Sequence, residues 1–308
     1  MISRMRLWSG IVLFAYATVH LVNHALVLAS LQAADATRSV LAALWHSLPG
    51  TALLYGAFTV HIALTLWALF RRRSLRLTRW EWTQLLLGLS VVPLGMTHLV
   101  GTRLAHELYD VNTNYLWVLL PMAQDPWAAA RQTGFLLVVW THGCIGLHFY
   151  WRLKAWYIGA LPWLYGAALV IPALALAGVG VGVGKVFELG EDAERFRAAI
   201  STLNPPTSEE VARIYVLSDI YKLVAGALVI GVFGARRVRT WAARRGGEGR
   251  LSYASGRNVV AHSGLTVLDI SRLNGIPHAS VCGGPGPCAP RRGATGSARP
   301  AQAAPPPS

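Results

Sequence analysis

Leu7-Trp-Ser-Gly-Ile-Val-Leu-Phe-Ala-Tyr-Ala-Thr-Val-His20-Leu-Val-Asn-His24-Ala-Leu-Val-Leu-Ala-Ser-Leu31 runs from residue 7 to residue 31 without one charged side chain. A helix of about 20 such residues crosses the hydrocarbon core of a bilayer. The block follows Arg4 and Arg6, as a signal peptide would. It is too long for one, lacks a clear small-residue cleavage site and holds two histidines, so it reads as a retained span.

Five further blocks repeat the pattern, at 51–70, 83–103, 131–151, 158–182 and 214–234. Lipid cannot satisfy backbone N–H and C=O groups, so each must be a helix or a strand of a closed barrel. Unbroken apolar runs, rather than two-residue alternation, select helices. The expectation is an all-α membrane protein of six transmembrane helices over residues 1–245. Bulk composition agrees. The chain has 308 residues, of which 54% are hydrophobic and 14% charged, with mean hydropathy +0.41. A soluble domain carries about 25% charged residues. A soluble hydrolase is thereby excluded. The formal net charge of +14 sits beside the apolar blocks, so it speaks for orientation and not for nucleic acid.

Arg4 and Arg6 precede span one. Arg71, Arg72, Arg73, Arg76 and Arg79 join spans two and three, and Arg152 and Lys154 join spans four and five. Arg236, Arg237, Arg239, Arg244 and Arg245 follow span six. Lys and Arg mark the cytoplasmic side, so both termini are expected there, in the inner membrane of a bacterium. The connection 32–50 carries only Arg38, and 104–130 carries no Lys or Arg.

The histidines carry the chemistry. His20, His24, His61, His98, His106, His142 and His148 lie in or beside the first four spans. Ionisable groups inside a bilayer are costly and mark function. A neutral imidazole ligates haem iron. At 1.5 Å rise per residue from the cytoplasmic ends, His24 and His98 both stand roughly 26 Å up, and His61 and His142 roughly 15 Å up. Spans one and three therefore offer one matched pair, and spans two and four another. In an antiparallel four-helix bundle these are diagonal partners. Two stacked b haems are expected, ligated by His24, His98, His61 and His142. His20 is one turn from His24 on the same face and can replace it. Arg103 and Arg131 are candidates for the propionates, and His148 and His106 for propionate or quinone contacts. Gly143 and Gly146 beside His142, and Gly95 and Gly101 beside His98, are expected to admit the flat macrocycle. The competing reading of any one histidine is an interhelical hydrogen bond. Asp219 and Lys222 are three residues apart in span six and read as an internal ion pair. Cys144 reads as a packing residue. With only Cys144, Cys282 and Cys288, no disulfide framework is available.

From Gly246 the chain turns polar. The stretch Gly256-Arg-Asn-Val-Val, then Gly264-Leu-Thr-Val-Leu-Asp-Ile-Ser-Arg-Leu-Asn-Gly-Ile-Pro-His-Ala-Ser-Val-Cys282-Gly-Gly-Pro-Gly-Pro-Cys288, resembles a [2Fe–2S] ferredoxin domain of the β-grasp kind. The resemblance covers 251–289, with an opening hairpin, a short Leu-rich helix and a Gly-rich cluster loop. It implies Cys282 and Cys288 as the first two cluster ligands. The third should fall at Arg291, and no fourth Cys follows, so an incomplete site that holds no cluster is expected. Residues 290–308, rich in Pro, Ala, Gly and Arg, read as a disordered tail. They resemble GC-rich DNA translated out of frame, or the end of a truncated gene.

The order of parts resembles bacterial membrane-bound class III adenylate cyclases, which have a six-helix haem-b anchor, a ferredoxin domain and a cyclase domain. The anchor is similar to the membrane subunits of succinate dehydrogenase and fumarate reductase, through His20, Asn23 and His24 and through Thr141-His142-Gly143. The resemblance implies that His24, His61, His98 and His142 are axial ligands, that the anchor senses quinone or redox state, and that the chain is a homodimer. It places the cyclase domain after residue 308, so no cyclase activity is expected of this chain. Two other functions fit the spans. One is an electron-transfer subunit between a quinone and an iron–sulfur partner. The other is a transporter without haem.

Overall fold

The computed structural model describes residues 1–72, 74–75, 77–245, 248–253, 256–262 and 266–276. The chain is mostly helical, 83%. Five helices are long and apolar enough to cross a membrane, which marks a membrane protein. They contain five of the blocks: α1 (Ile2–Ala25) with its 3-10 extension Leu26–Leu28, α3 (Leu48–Arg71), α4 (Arg79–Leu99) with the segment after it, α8 (Tyr157–Gly190) and α10 (Ser208–Arg244). The block 131–151 lies in α7 (Pro126–Trp151), a helix of 26 residues. Its histidines and aromatic ends lower its hydropathy, and it is not one of those five.

Local signals set the ends. Thr78 and Glu81 form a capping box at the start of α4, which satisfies two N–H groups that the first turn leaves unpaired. Asp125 accepts from the Trp127 N–H at 2.9 Å, and Pro126 takes the first position of α7, where its missing N–H costs nothing. Pro93 interrupts the hydrogen bonds of α4. Just beyond His98, residues Val100–Leu104 wind as a π-helix, a local widening that often accompanies a functional site.

The chain forms two compact units. The first comprises residues 1–65 and 77–228. Within it α1 packs along α8, and α4 packs along α7. The α1–α8 contact is close because Gly178 sets its bare Cα against the His24 carbonyl, and Gly182 faces Leu119 and Val27. Trp140 donates from Nε1 to the Ala168 carbonyl at 2.8 Å, joining α7 to α8. The connections 32–50 and 104–130 are themselves helical, as α2 (Leu31–His46), α5 (Ala105–Tyr109) and α6 (Tyr115–Gln124). Asp35 of α2 accepts from the Tyr115 N–H at 3.0 Å. Val27, Ala34, Tyr115, Leu119, Met122 and Val186 form a buried core there. Helix α9 (Ala193–Ser201) precedes α10. The Asp219–Lys222 ion pair forms at 2.9 Å, with the carboxylate side chain 69% exposed. It lies on an open face of α10, not inside the bundle as its sequence spacing suggested. The three-residue spacing joins the two side chains without fixing which side of the helix they share.

The second unit holds residues 66–76 and 229 onward. Arg236 and Arg239 donate to the Arg72 carbonyl at 2.8 and 3.3 Å, placing cations at the C-terminal end of α3, where the helix dipole favours them. Strands β1 (Glu248–Ser252) and β2 (Asn258–His262) form an antiparallel hairpin, with Arg250 opposite Val260. Helix α11 (Val267–Leu273) follows, capped by Thr266 and Asp269. The Tyr253 hydroxyl meets Ser271 Oγ at 2.7 Å. Cys282, Cys288 and the tail 290–308 lie outside the described residues.

Replacing Gly178 by Val should push α8 away from α1 and cost roughly 1–3 kcal/mol, the usual range for overpacking. Unfolding of the purified protein in detergent, followed by circular dichroism, should show an earlier midpoint. An unchanged midpoint would contradict the close contact.

Candidate functional site: two facing histidine pairs

All the intramembrane histidines lie in the first unit. His61 of α3 and His142 of α7 face each other, with ring centroids 6.3 Å apart and planes at 89°. The His61 Nδ1–H donates to the Arg6 carbonyl at 3.1 Å, and the His142 Nδ1–H donates to the Gln84 carbonyl at 3.2 Å. A carbonyl can only accept, so both rings carry their proton on Nδ1 when neutral. Each Nε2 is then a lone pair, and neither takes a hydrogen bond among the described residues. An Nδ1–H anchored on a carbonyl is the arrangement that fixes tautomer and orientation in metal-binding imidazoles.

Two glycines make this possible. A Cβ on Gly10 would lie 3.0 Å from His61 Cε1, and one on Gly88 would lie 2.8 Å from His142 Cε1. Each glycine stands one turn beyond the carbonyl that its imidazole reaches: Gly10 after Arg6, Gly88 after Gln84. Residues four apart share a helix face, so a side chain there would cover the acceptor. The glycines expected from sequence serve otherwise. Gly95 and Gly143 face the rings of Phe135 and Phe14, Gly146 faces Gln84, and Gly101 has open space. Successive residues on a helix point about 100° apart, so the immediate neighbours of a histidine look away from its partner. The glycines that matter come from the adjacent helix, and spacing along the histidine's own helix does not point to them.

The second pair lies farther along α1. His20 and His98 face each other at 5.9 Å and 71°. His98 Nδ1 meets the Gln132 carboxamide at 2.8 Å. The atom in contact is the carboxamide Nε2, which donates to Nδ1 and leaves the proton of the neutral ring on Nε2. Tyr16 stacks on His20 at 5.7 Å. His24, one turn on, lies 4.5 Å from His20, and its Nδ1 is 2.9 Å from the Tyr115 hydroxyl. Asn23 Nδ2 donates to the same hydroxyl at 3.0 Å. Gly10 and His20 are ten residues apart, so the two pairs stand about 15 Å apart along α1.

At the far end, Arg103 pairs with Glu107 at 3.0 Å and donates to Thr51 Oγ1 at 3.4 Å. Its Nη1 is buried without an acceptor among the described residues. The rings of His46 and His106 are 5.7 Å apart beside it, and His106 Nδ1 donates to the Val111 carbonyl at 3.0 Å. Arg131 is half-buried near the start of α7. His148 Nδ1 meets the Tyr157 hydroxyl at 2.7 Å, joining α7 to α8. Cys144 packs with Leu21, Trp140 and Ala175.

Among the described residues, no three His, Cys, Asp or Glu side chains gather as a metal site. A metal held here would have two protein ligands, from opposite sides. Two imidazoles bound through Nε2 at about 2 Å put their centroids about 6 Å apart, which both pairs match. The remaining ligands would have to arrive with the metal in one plane, as a macrocycle supplies them. The donor set and the orphaned Arg103 N–H fit a haem with its carboxylates.

The fold and site define a helical membrane protein with two facing pairs of half-buried histidines. No protein-family model matches the chain, and no curated protein or solved structure is significantly similar to it.

Gly88→Ala should drive a methyl into the His142 ring and disturb the Arg6-end pair alone. Its effect should appear as a shift of the His142 imidazole signals in the nuclear magnetic resonance spectrum of detergent-purified protein. An identical spectrum would show that the glycine has no part in seating the ring.

Proposed function

We propose that the chain is a membrane-embedded cytochrome binding two b haems, one between His61 and His142 and one between span one and His98. In this reading α7 is a sixth span, both termini are cytoplasmic, and the protein sits in a bacterial inner membrane. The observation that carries the proposal is the His61–His142 pair, 6.3 Å apart with both Nδ1–H groups anchored on carbonyls. Haem supplies a one-electron centre whose potential follows from its ligands, burial and nearby charge. This chain's residues supply the opposed imidazoles, the apolar surroundings and, at the far end, the unpaired Arg103 donor for a propionate.

The biological role proposed is a redox- or quinone-sensing anchor of a homodimeric adenylate cyclase. The hairpin and short helix at 248–273 are compatible with the opening of a ferredoxin-like domain. A second reading is an electron-transfer subunit between quinone and an iron–sulfur partner. It is favoured by two sites stacked about 15 Å apart along α1.

The test is a dithionite-reduced minus oxidised spectrum of detergent-purified protein, with haem quantified per chain. The expected result is a split b-type band with about two haems per chain, falling to about one in His142→Ala. Protein without a haem band would return the histidines to packing or transport.

A further inference from the structure

The two halves of the histidine bundle repeat each other. Arg6, Gly10 and His20 recur 78 positions later as Gln84, Gly88 and His98. The repeat extends to His20-Leu21-Val22 and His98-Leu99-Val100. His61 recurs 81 positions later as His142, each followed ten residues on by an arginine, Arg71 and Arg152. The repeat is also three-dimensional. Arg6 and Gln84 offer the carbonyls that anchor His61 and His142. Gly10 and Gly88 leave the space for those two rings. The first helix pair, α1 and α3, thus does for His61 what the second, α4 and α7, does for His142, although only α4 and α7 pack along each other.

His24 has no counterpart in this repeat, because its equivalent is Thr102. The hydroxyl of Thr102 donates to the His98 carbonyl at 2.7 Å. The nearest ring partner of His24 outside its own helix is Tyr115, bonded at Nδ1. His20 is the ring that faces His98.

We propose that the anchor is an internally duplicated helix pair, and that His20, not His24, ligates the iron opposite His98. His24 holds Tyr115, and through it the N-terminus of α6, at the edge of that site. This inference rests on the di-haem reading and corrects its span-one ligand.

The experiment compares His20→Ala, His20→Met and His24→Ala with the parent protein, using haem per chain, the reduced-minus-oxidised spectrum and electron paramagnetic resonance of the oxidised state. The haem at issue is the one that survives His142→Ala. His20→Ala should lower haem from about two to about one per chain. His20→Met keeps a ligand of similar bulk, guarding against misfolding. It should give that haem a His/Met signature and a more positive midpoint, because thioether ligation raises the potential. His24→Ala should keep both haems with bis-imidazole spectra. Loss of a haem in His24→Ala, with both retained unchanged in His20→Met, would overturn the assignment and leave the di-haem reading standing. A parent protein without haem would overturn the reading itself.

Discussion

An imidazole in hydrocarbon has two nitrogens to satisfy and no water to do it with. That constraint organises the centre of this protein. His61 and His142 meet half of it in the same way, by donating from Nδ1 to a backbone carbonyl on the neighbouring helix. A helical carbonyl already accepts one bond along its own helix and has a second lone pair to offer. Reaching that lone pair from the side requires that nothing stand over it, and hence glycine one turn later. Gly10 and Gly88 follow from the histidines: each leaves the space that the facing imidazole occupies, His61 against α1 and His142 against α4. The two rings then stand with their centroids 6.3 Å apart.

Without a hydrophobic force between helices in lipid, close packing and interhelical hydrogen bonds hold a membrane bundle together. Here the two are divided among helix pairs. Helix α8 meets α1 through bare glycine backbone at Gly178 and Gly182. Helix α3 buries only 6% of its most apolar stretch, and its recorded hydrogen bonds to α1 run through His61. Its other polar ties lie at its two ends, through Thr51 to Arg103 and through the Arg72 carbonyl to Arg236 and Arg239.

Much of this was legible in the sequence. Uncharged blocks of span length located the helices, because length and polarity alone decide what can cross a bilayer. Counting residues from the basic ends matched span one with span three and span two with span four, and the facing rings obey that matching. The choice between His20 and His24 was not legible from spacing. Residues one turn apart share a face, and a depth estimate uncertain by a few residues cannot separate them. Helices α2 and α6, of 16 and 10 residues, are shorter than a membrane span, so the length criterion that locates the others passes over them. The π-helix after His98 gave no sign at all, since it depends on how α4 is packed and not on its composition.

The repeat supplies what spacing lacked. A single pair of intramembrane histidines at 6 Å has an alternative account as two hydrogen-bonding residues that happen to meet. Two helix pairs that place acceptor carbonyl, glycine and histidine at the same intervals of four and ten residues need a shared reason. Helix packing alone asks only for small residues, and Gly56 and Gly134, which have open space around them, show that glycines in these helices need not serve it. What the matched positions have in common is the imidazole: two in each helix pair, one anchored by Nδ1 to the neighbouring helix and one presented to the opposite pair. A site that bridges the two helix pairs through both kinds of ring accounts for the whole set, and under the proposed di-haem reading a planar cofactor at two heights would use it.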